Sequence, residues 1–396
     1  MPYTAYRQFI QQRHATDRLR VLRPMTPLPG GRVRIDGREL INFSTNDYLG
    51  LAEHPSLIQR SQAWASRYGA GSRASRLVSG NLDSFSVVEH KLARGKGSQS
   101  ALLFNSGYQA NVAILAALLD SRVLGSQPLV FSDRLNHASI HHGCRSAGVR
   151  QIRYRHGDLN HLDDLLTRHR NKPGPRFILS ETVFSMDGDQ IDAAALITLK
   201  ERHGAFLYLD EAHATGVLGP GGFGLSASFP GRVDLAMGTF SKGLGSFGAY
   251  AACSQELVDF LVNHCSGLIY ATALPPAILG AMDAALELLP DLESVRHGLL
   301  AKAARLRGAF QSAGLDTGLS STQIIPVITG SATRALALSR LLDSSGMLAV
   351  AIRPPTVPTG ASRVRFSLSA AHQETDLARL EERIPAMLQT LRECST

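Results

Sequence analysis

Lys242 lies in a sequence setting that points to chemistry rather than to solvent contact. It belongs to the segment 238–245, which reads GTFSKGLG and follows an apolar, strand-like run. Glycines allow the backbone and a bound molecule to approach each other closely, and a lysine among such small residues contributes little to packing. The segment alone fits either a flexible surface turn or a site that uses the lysine amine.

Asp210 is the second residue whose position suggests chemistry. It follows the apolar run Phe206–Leu209 and begins the sequence DEAH. By itself it fits a side chain that caps a turn after a strand. Together with Lys242 it fits pyridoxal 5'-phosphate (PLP), because this cofactor needs an amine that bonds to it and a carboxylate that keeps its pyridine nitrogen protonated. The ends of neighbouring strands can present both groups to one ring.

An alternation of strand and helix patterns predicts the elements that position these residues. The strand-like runs are Ala101–Phe104, Leu129–Phe131, Phe177–Leu179, Phe206–Leu209 and Leu235–Met237, and helical patterns between them include Gln109–Leu119, His161–His169 and Ala193–His203. Such an alternation predicts an α/β fold with a mainly parallel sheet that helices cover on both faces. In these sheets, ligands bind beyond the carboxyl ends of the strands.

Proline and a change of pattern suggest the domain boundaries. The first 40 or so residues read as irregular, a helical stretch begins at Pro275 and Pro276, and Pro290 marks a break. The remainder alternates helices with the strand patterns Ile324–Ile328, Met347–Ile352 and Val364–Leu368. We predict an N-terminal segment 1–50, a large PLP-binding domain 51–290 and a smaller C-terminal α/β domain 291–396.

Composition excludes several classes of protein. Of the 396 residues, 44% are hydrophobic and 19% are charged, which is typical of a folded chain. The net charge of +8 is spread along the sequence, so it fits either solubility or attraction of an anionic partner. Only 6% of the residues are aromatic and no basic stripe occurs, which argues against nucleic-acid binding.

The cysteines and the hydropathy pattern predict a cytoplasmic protein without a metal. Cys144, Cys253, Cys265 and Cys394 form no CxxC motif and no cluster with metal-ligand spacing, so reduced thiols fit best. No run of about 18 apolar residues occurs, and the first 20 residues lack the apolar stretch of a signal peptide. We therefore expect no membrane association.

Several motifs in a fixed order give the chain a family resemblance. They read NFSTNDYLG at 42–50, SGN at 79–81, DRLNHAS at 133–139, VFSMDGD at 183–189 and DEAHATGV at 210–217, followed by the lysine segment. Together they resemble the α-oxoamine synthases, which are fold-type I PLP enzymes related to the aminotransferases. The resemblance extends from Asn42 to His372 and implies a large domain with a smaller C-terminal one.

The resemblance implies a role for each residue around the cofactor ring. Lys242 matches the lysine that holds PLP covalently and moves the substrate proton, and Asp210 matches the carboxylate at the pyridine nitrogen. His137 matches the histidine that stacks on the ring, with an ordinary turn histidine as the alternative. Ser185 and His213 match the groups that bind the phenolic oxygen, although Ser185 also fits a simple turn before the following MDG sequence.

The cofactor phosphate requires hydrogen-bond donors. Ser106, Gly107 and Tyr108 follow a predicted strand and open a helix, where backbone N–H groups and the helix dipole favour an anion. The resemblance adds the hydroxyl of Thr239. It also adds Thr272, which matches a phosphate ligand donated by a second subunit, and this implies a homodimer with shared active sites.

A segment near the C-terminus suggests the substrates. Residues 351–358 read AIRPPTVP, which resembles the subfamily that joins L-alanine to a pimeloyl thioester of coenzyme A (CoA) or of acyl carrier protein. In that resemblance Arg353 binds the amino-acid carboxylate, a task that suits a planar guanidinium. The resemblance also assigns Asn46 and Thr356 to substrate binding, although Asn46 fits a turn asparagine beside Asp47 as well. Arg20 either contacts the acyl chain or is an ordinary surface arginine.

Three alternatives stay open at this point. The chain could use another amino acid or acyl-CoA, act as an aminotransferase, or serve as a non-catalytic subunit of the same fold. The sequence also leaves open the effect of Ala214, which replaces the first glycine of a His-Gly-Thr-Gly motif common among relatives. Finally, Arg73 and Arg76 fit attraction of an anionic carrier or of a carboxylate-tipped chain.

Overall fold

A computed structural model describes residues 2–394, which form two compact units. The terminal unit combines Met1–Asn46, Met186–Asp189 and Gly298–Thr396. The central unit combines Asp47–Ser185 and Gln190–His297. These units describe how the chain packs, and the division into domains 1–50, 51–290 and 291–396 stays a prediction.

Helices and strands alternate through most of the described chain. The helices are α1 Pro2–Ala15, α2 Pro55–Tyr68, α3 Asp83–Lys96, α4 Gly107–Leu118, α5 Ser121–Leu124, α6 Ala138–Ser146, α7 Leu159–Arg168, α8 Ala193–His203, α9 Gln255–His264, α10 Ser266–Ile269, α11 Pro276–Leu288, α12 Glu293–Ser312, α13 Ala332–Ser344, α14 Glu374–Glu381 and α15 Ile384–Glu393. The strands are β1 Thr26–Leu28, β2 Arg32–Ile35, β3 Arg38–Asn42, β4 Ser100–Phe104, β5 Leu129–Asp133, β6 Gln151–Tyr154, β7 Arg176–Glu181, β8 Phe206–Asp210, β9 Leu235–Thr239, β10 Ala249–Cys253, β11 Ile324–Gly330, β12 Met347–Leu348, β13 Val350–Ile352 and β14 Ser362–Ser367. Within residues 2–394, no helix has both the length and the apolar character needed to cross a membrane.

A seven-stranded sheet forms the core of the central unit. Its strand order is β4-β10-β9-β8-β7-β5-β6. The pairs from β9 to β6 are parallel, whereas β10 runs antiparallel to both β4 and β9. The predicted α/β class with a mainly parallel sheet is confirmed. Strand β10 was not predicted, because its alanine-rich run AYAAC has no clear strand period.

Side chains of successive strand residues enter apolar clusters on opposite faces of this sheet. Tyr208 packs in a cluster with residues of α4 and α6, whereas Leu207 and Leu209 pack with residues of α7 and α8. This separation is the consequence of the two-residue period of a strand. Burial on both faces fixes the register of β8 and therefore fixes where Asp210 emerges.

The terminal unit contains two smaller sheets. One has the order β1-β2-β3-β12 and the other the order β11-β14-β13. The single strand predicted at Met347–Ile352 is therefore wrong, because β12 and β13 belong to different sheets. The irregular N-terminus is also wrong: α1 forms at Pro2–Ala15, with no buried residue to give it the apolar period that predicts a helix.

Candidate active site

A cavity of about 210 Å³ lies at the carboxyl ends of the central strands. Eight of the residues predicted from the sequence line it: Ser106, Gly107, Tyr108, His137, Asp210, His213, Thr239 and Lys242. All of them belong to the central unit. Parallel strands bring these residues together because their carboxyl ends share one edge of the sheet.

Asp210 ends β8 and is a buried acceptor in this cavity. Its carboxylate is held by two donors, the backbone N–H of Ala212 at 2.9 Å from Oδ1 and the Asn111 amide Nδ2 at 2.7 Å from Oδ2. Both bonds are donated to the carboxylate oxygens and fix their orientation. A buried carboxylate with further acceptor capacity suits a protonated pyridine nitrogen.

Lys242 follows β9 in a segment whose backbone lies against the His-Ala-Thr-Gly turn. Gly216 has a φ of 92°, and a Cβ atom there would lie 2.9 Å from the backbone of Gly243. This close approach holds the residue after Lys242 in place, and glycine permits it. Ala214 is buried but is not among the described non-glycine residues with positive φ. The replacement of glycine at Ala214 therefore introduces no backbone strain.

His137 caps the first turn of α6. Its Nδ1 accepts a hydrogen bond from the backbone N–H of Ser139 at 3.3 Å and lies 2.6 Å from the Ser139 hydroxyl. Burial is the largest cause that lowers the pKa of His137, and the charge of Asp210 opposes it. Because the net direction is downward from an ordinary value near 6.5, the ring is neutral at pH 7.

His213 is held by a tyrosine to which we assigned no role from the sequence. The Tyr48 hydroxyl lies 2.6 Å from His213 Nδ1, and both side chains are buried. Tyr48 lies in the NDYLG motif, so the motif was recognised and the contact was not. Ser185, the other predicted ligand of the phenolic oxygen, is not among the residues that line the cavity.

The start of α4, where the sequence predicts a phosphate site, lines the cavity. Ser106 caps the helix by accepting a hydrogen bond from the N–H of Gln109 at 3.2 Å, and Gly107 and Tyr108 form its first turn. Thr239 Oγ1 donates to the carbonyl of Gly248 at 2.7 Å.

Ser241 adds a hydroxyl to this end of the cavity. Its Oγ lies 2.6 Å from Thr239 Oγ1, and the residue lines the cavity with an exposed side chain. Sequence reasoning missed Ser241, although it lies next to Lys242.

Glu181 is a second carboxylate in the cavity. It ends β7 in direct register with Asp210 on β8, and its Oε1 accepts the backbone N–H of His137 at 2.5 Å. Burial first, and then the charge of Asp210, raise the pKa of Glu181 well above its usual value. The signal that found Asp210, a carboxylate after an apolar run, also applies to Glu181.

The four predicted substrate ligands all belong to the terminal unit, and none lines the cavity. The Arg20 guanidinium donates to Thr356 Oγ1 at 2.9 Å. Arg353 donates to the carbonyls of Asp17 and Leu19. The structure therefore brings Arg353, Arg20 and Thr356 into one neighbourhood of this unit.

Asn46 has a different partner, the buried Arg365, whose guanidinium donates to its Oδ1 at 2.7 Å. Arg365 lies within the RVRF sequence that begins at Arg363 on β14, and it was not predicted as a site residue. The alternation of Val364 and Phe366 with polar residues indicates a strand. It does not indicate which side chain Arg365, between them, contacts.

Thr272 lies in the central unit outside this cavity. Its backbone forms a β-bridge with Ser75, and its carbonyl accepts from the Asn105 side-chain amide at 2.9 Å.

Arg76, next to Ser75 in the sequence, forms a two-bond ion pair with Glu89, and both side chains are largely buried. Glu89 is thus the ion-pair partner of Arg76, and the expectation that Arg76 attracts an anionic substrate stays a prediction.

The chemistry of these groups fits PLP. The cavity presents an amine for the aldehyde carbon, a buried carboxylate for the pyridine nitrogen, a neutral imidazole for the ring face and a helix N-terminus for the phosphate. The residues that would hold the cofactor are therefore Lys242, Asp210, His137 and the first turn of α4.

Comparisons with known proteins agree with this chemistry. The family model described as "Aminotransferase class I and II" matches residues 38–384. The 8-amino-7-oxononanoate synthase of Gluconacetobacter diazotrophicus is 58% identical over 91% of this chain and 91% of its own length. The enzyme of the same name from Geobacter sulfurreducens is 46% identical, with 93% of this chain and 94% of that protein covered.

Solved structures with a similar fold are also PLP enzymes or carry the same enzyme name. A lysine-to-alanine variant of a serine palmitoyltransferase from S. paucimobilis, with a bound PLP–myriocin aldimine, superposes with a TM-score of 0.89 at 26% identity, covering 98% of this chain and 97% of that one. An 8-amino-7-oxononanoate synthase from Francisella tularensis superposes with a TM-score of 0.74 at 26% identity, covering 89% and 97%.

Proposed function

Because the chain belongs to the class I and II aminotransferase family, as an acyltransferase-type PLP enzyme of the 8-amino-7-oxononanoate synthase group, we propose that it condenses L-alanine with a pimeloyl thioester. The reaction releases CO2 and a free thiol and yields 8-amino-7-oxononanoate for biotin biosynthesis. The thioester is that of CoA or of acyl carrier protein. The observation that carries this proposal is that one cavity is lined by Lys242, Asp210, His137 and His213.

Each of these cavity residues has a separate role in the proposed reaction. PLP, when bound, supplies an electron-accepting ring that stabilises negative charge at the substrate Cα atom. Lys242 acts as the base that removes the Cα proton of alanine, for which its amine must be neutral. Asp210 holds a proton at the pyridine nitrogen. His137, which lines the cavity, would lie against one face of the ring and exclude water there.

The substrate carboxylate is assigned to Arg353 in the terminal unit. Burial is the largest cause that lowers the pKa of Arg353, and the positive charge of Arg20 lowers it further. Two guanidinium groups this close to each other favour an anion between or beside them. This supports Arg353 and Arg20, with Thr356, as binding residues for a carboxylate, and Asn46 assists through the same unit.

We further propose a homodimer in the cytoplasm. Large apolar side chains near Thr272 are exposed, with Tyr270 at 84% and Val78 at 79%, which suggests an interface that covers them. This arrangement supports donation of Thr272 to the partner's phosphate site. Cys144, Cys253, Cys265 and Cys394 are all free thiols, which fits a reducing compartment.

The test is thiol release from PLP-loaded protein. Alanine, glycine and serine are each supplied with pimeloyl-CoA and, separately, with pimeloyl acyl carrier protein. We expect release with alanine and with at least one pimeloyl donor. A visible absorbance change with alanine but no release from either donor would contradict the pimeloyl assignment. Formation of pyruvate from alanine with a keto acid, without any thioester, would instead identify an aminotransferase.

A further inference from the structure

A buried asparagine joins two of the residues that face the cofactor. Asn111 lies on α4 and is 1% exposed. Its Nδ2 atom lies 2.7 Å from Asp210 Oδ2 and 2.9 Å from Ser139 Oγ, and its Oδ1 lies 2.6 Å from the hydroxyl of Tyr208. Ser139 Oγ in turn lies 2.6 Å from His137 Nδ1.

The direction of these hydrogen bonds follows from the chemistry of each atom. An ionised carboxylate only accepts, so the amide nitrogen of Asn111 must face Asp210. Its oxygen therefore accepts the hydroxyl proton of Tyr208. Burial, and then the charge of Asp210, raise the pKa of Tyr208 well above its usual value, so the hydroxyl keeps the proton that it donates.

The second N–H of the amide extends the chain to the histidine. It donates to Ser139 Oγ, which leaves the Ser139 hydroxyl proton for His137 Nδ1. The backbone N–H of Ser139 points to the same nitrogen. Nδ1 therefore carries no proton, and the neutral ring carries its proton on Nε2.

We propose that Asn111 is a positioning residue that orients the Asp210 carboxylate and holds His137 in its Nε2-protonated tautomer at the same time. Tyr208 fixes the orientation of the Asn111 amide by donating a hydrogen bond to Oδ1. Rotation of the amide by 180° would break this bond and turn Oδ1 toward the Asp210 carboxylate. The proposal rests on the roles assigned to Asp210 and His137 in the proposed function. It does not depend on the acyl donor.

Asn111→Asp tests the link to Asp210 with little change of shape. The substitution replaces the N–H donor to Asp210 with an acceptor, so Asp210 is no longer oriented toward the pyridine nitrogen, which would lose its proton more readily. For the PLP-loaded enzyme, we titrate the visible absorbance against pH. We expect the pH at the midpoint of this titration to differ from the wild-type value by about one pH unit. Exchange of the alanine Cα proton for deuterium should slow by about tenfold or more, with a smaller change in the alanine KM.

Ser139→Ala tests the link to His137 and separates positioning from packing. This variant removes the hydroxyl relay but keeps the bond between Asn111 and Asp210. We expect the 15N chemical shifts of the His137 ring, identified by comparison with His137→Asn, to change while the absorbance midpoint stays at its wild-type value. Ser139→Ala is also a small substitution, so it keeps the proposal testable if Asn111→Asp does not fold.

Tyr154→Phe is the matched control, since Tyr154 is another fully buried strand tyrosine outside this network. It should leave both readouts unchanged. An unshifted midpoint and unslowed exchange in Asn111→Asp, or an unchanged His137 signal in Ser139→Ala, would overturn the proposal. Deuterium exchange and absorbance need only alanine and PLP, so a failure to release thiol would not affect this result.

Discussion

Lys242 supplies the amine of the cavity, and no other lysine lines it among the described residues. Lys242→Ala should therefore abolish covalent attachment of PLP and lower thiol release by about 10³-fold or more. Borohydride reduction followed by peptide mass spectrometry measures the attachment directly. Lys172→Ala, at an exposed position, is the control and should retain both. A modified peptide that persists in Lys242→Ala would assign the attachment to another residue.

His372, at the end of the family resemblance, is a buried structural residue of the terminal unit. Its Nδ1 accepts from the N–H of Ser369 at 3.1 Å, and its Nε2 lies 3.1 Å from the carbonyl of Asn42. Burial is the main cause that lowers its pKa to about 4. The ring therefore stays neutral in the folded protein under conditions in which it would be charged in the unfolded chain.

This difference predicts a loss of stability in acid. Between pH 6.5 and about 4 the unfolded chain binds a proton that the folded chain does not, so the free energy of unfolding falls as the pH falls. The contribution, complete above pH 6.5, is about 3 kcal/mol. Urea unfolding at pH 7.5 and 5.0 measures it. His372→Gln should be less stable at pH 7.5 and should lose less on acidification, and an equal loss in both proteins would refute the assignment.

Residues of the site differ in how far the sequence alone could reveal them. Asp210 was predicted because it follows an apolar run and begins a recognisable motif. Glu181 pairs with it in register and also follows an apolar run, but it lies outside every motif that carries the family resemblance. Asn111 lies within the predicted helix Gln109–Leu119, and nothing local indicates its contact with Asp210. That contact depends on the packing of α4 against the sheet.

At the scale of elements, the edge formed by parallel strands explains why the cofactor side was predictable. The neighbouring strands β9, β8, β7 and β5 are each followed by a short motif, and the order of the motifs along the chain gives their neighbours in space. The substrate side was less predictable. The residues proposed for it come from separate segments of the terminal unit, including the chain after α1 and the chain after β13, and their hydrogen-bond partners are determined by tertiary packing.

The close contact of two glycines makes a prediction about the lysine segment. Gly216→Ala would place a methyl group 2.9 Å from the Gly243 backbone at a positive φ of 92°. We expect a loss of about 1–3 kcal/mol of stability and a lower PLP content, because Lys242 must move with its neighbour. Thermal unfolding and absorbance of the purified protein measure the two effects.

Ala214→Gly is the matched substitution in the same turn. Ala214 is buried without a positive φ, so this change should lower stability by about 1 kcal/mol and leave the PLP content unchanged. Equal PLP content in Gly216→Ala and Ala214→Gly would show that the glycine contact does not position Lys242.

At the scale of the whole molecule, an exposed apolar patch of the central unit raises the question of assembly. The patch consists of Leu77, Val78 and Tyr270, which are 54%, 79% and 84% exposed. It adjoins the β-bridge between Ser75 and Thr272. Water contact with such side chains is unfavourable, and a second copy of the chain that covers them would remove the cost.

The dimer proposal predicts that assembly and cofactor binding are lost together. Val78→Glu places a charge in the patch, and we expect sedimentation velocity to show monomers with PLP bound about tenfold more weakly. Thr272→Ala should weaken PLP binding without dissociating the dimer, since it removes only the predicted phosphate contact.

Mixing the Thr272→Ala and Lys242→Ala proteins tests which subunit's site Thr272 serves. If Thr272 serves the partner's site, each mixed dimer carries one site with both defects and one with neither, so mixing restores a site with wild-type PLP affinity. If Thr272 serves its own subunit, every site keeps one defect and no such site appears.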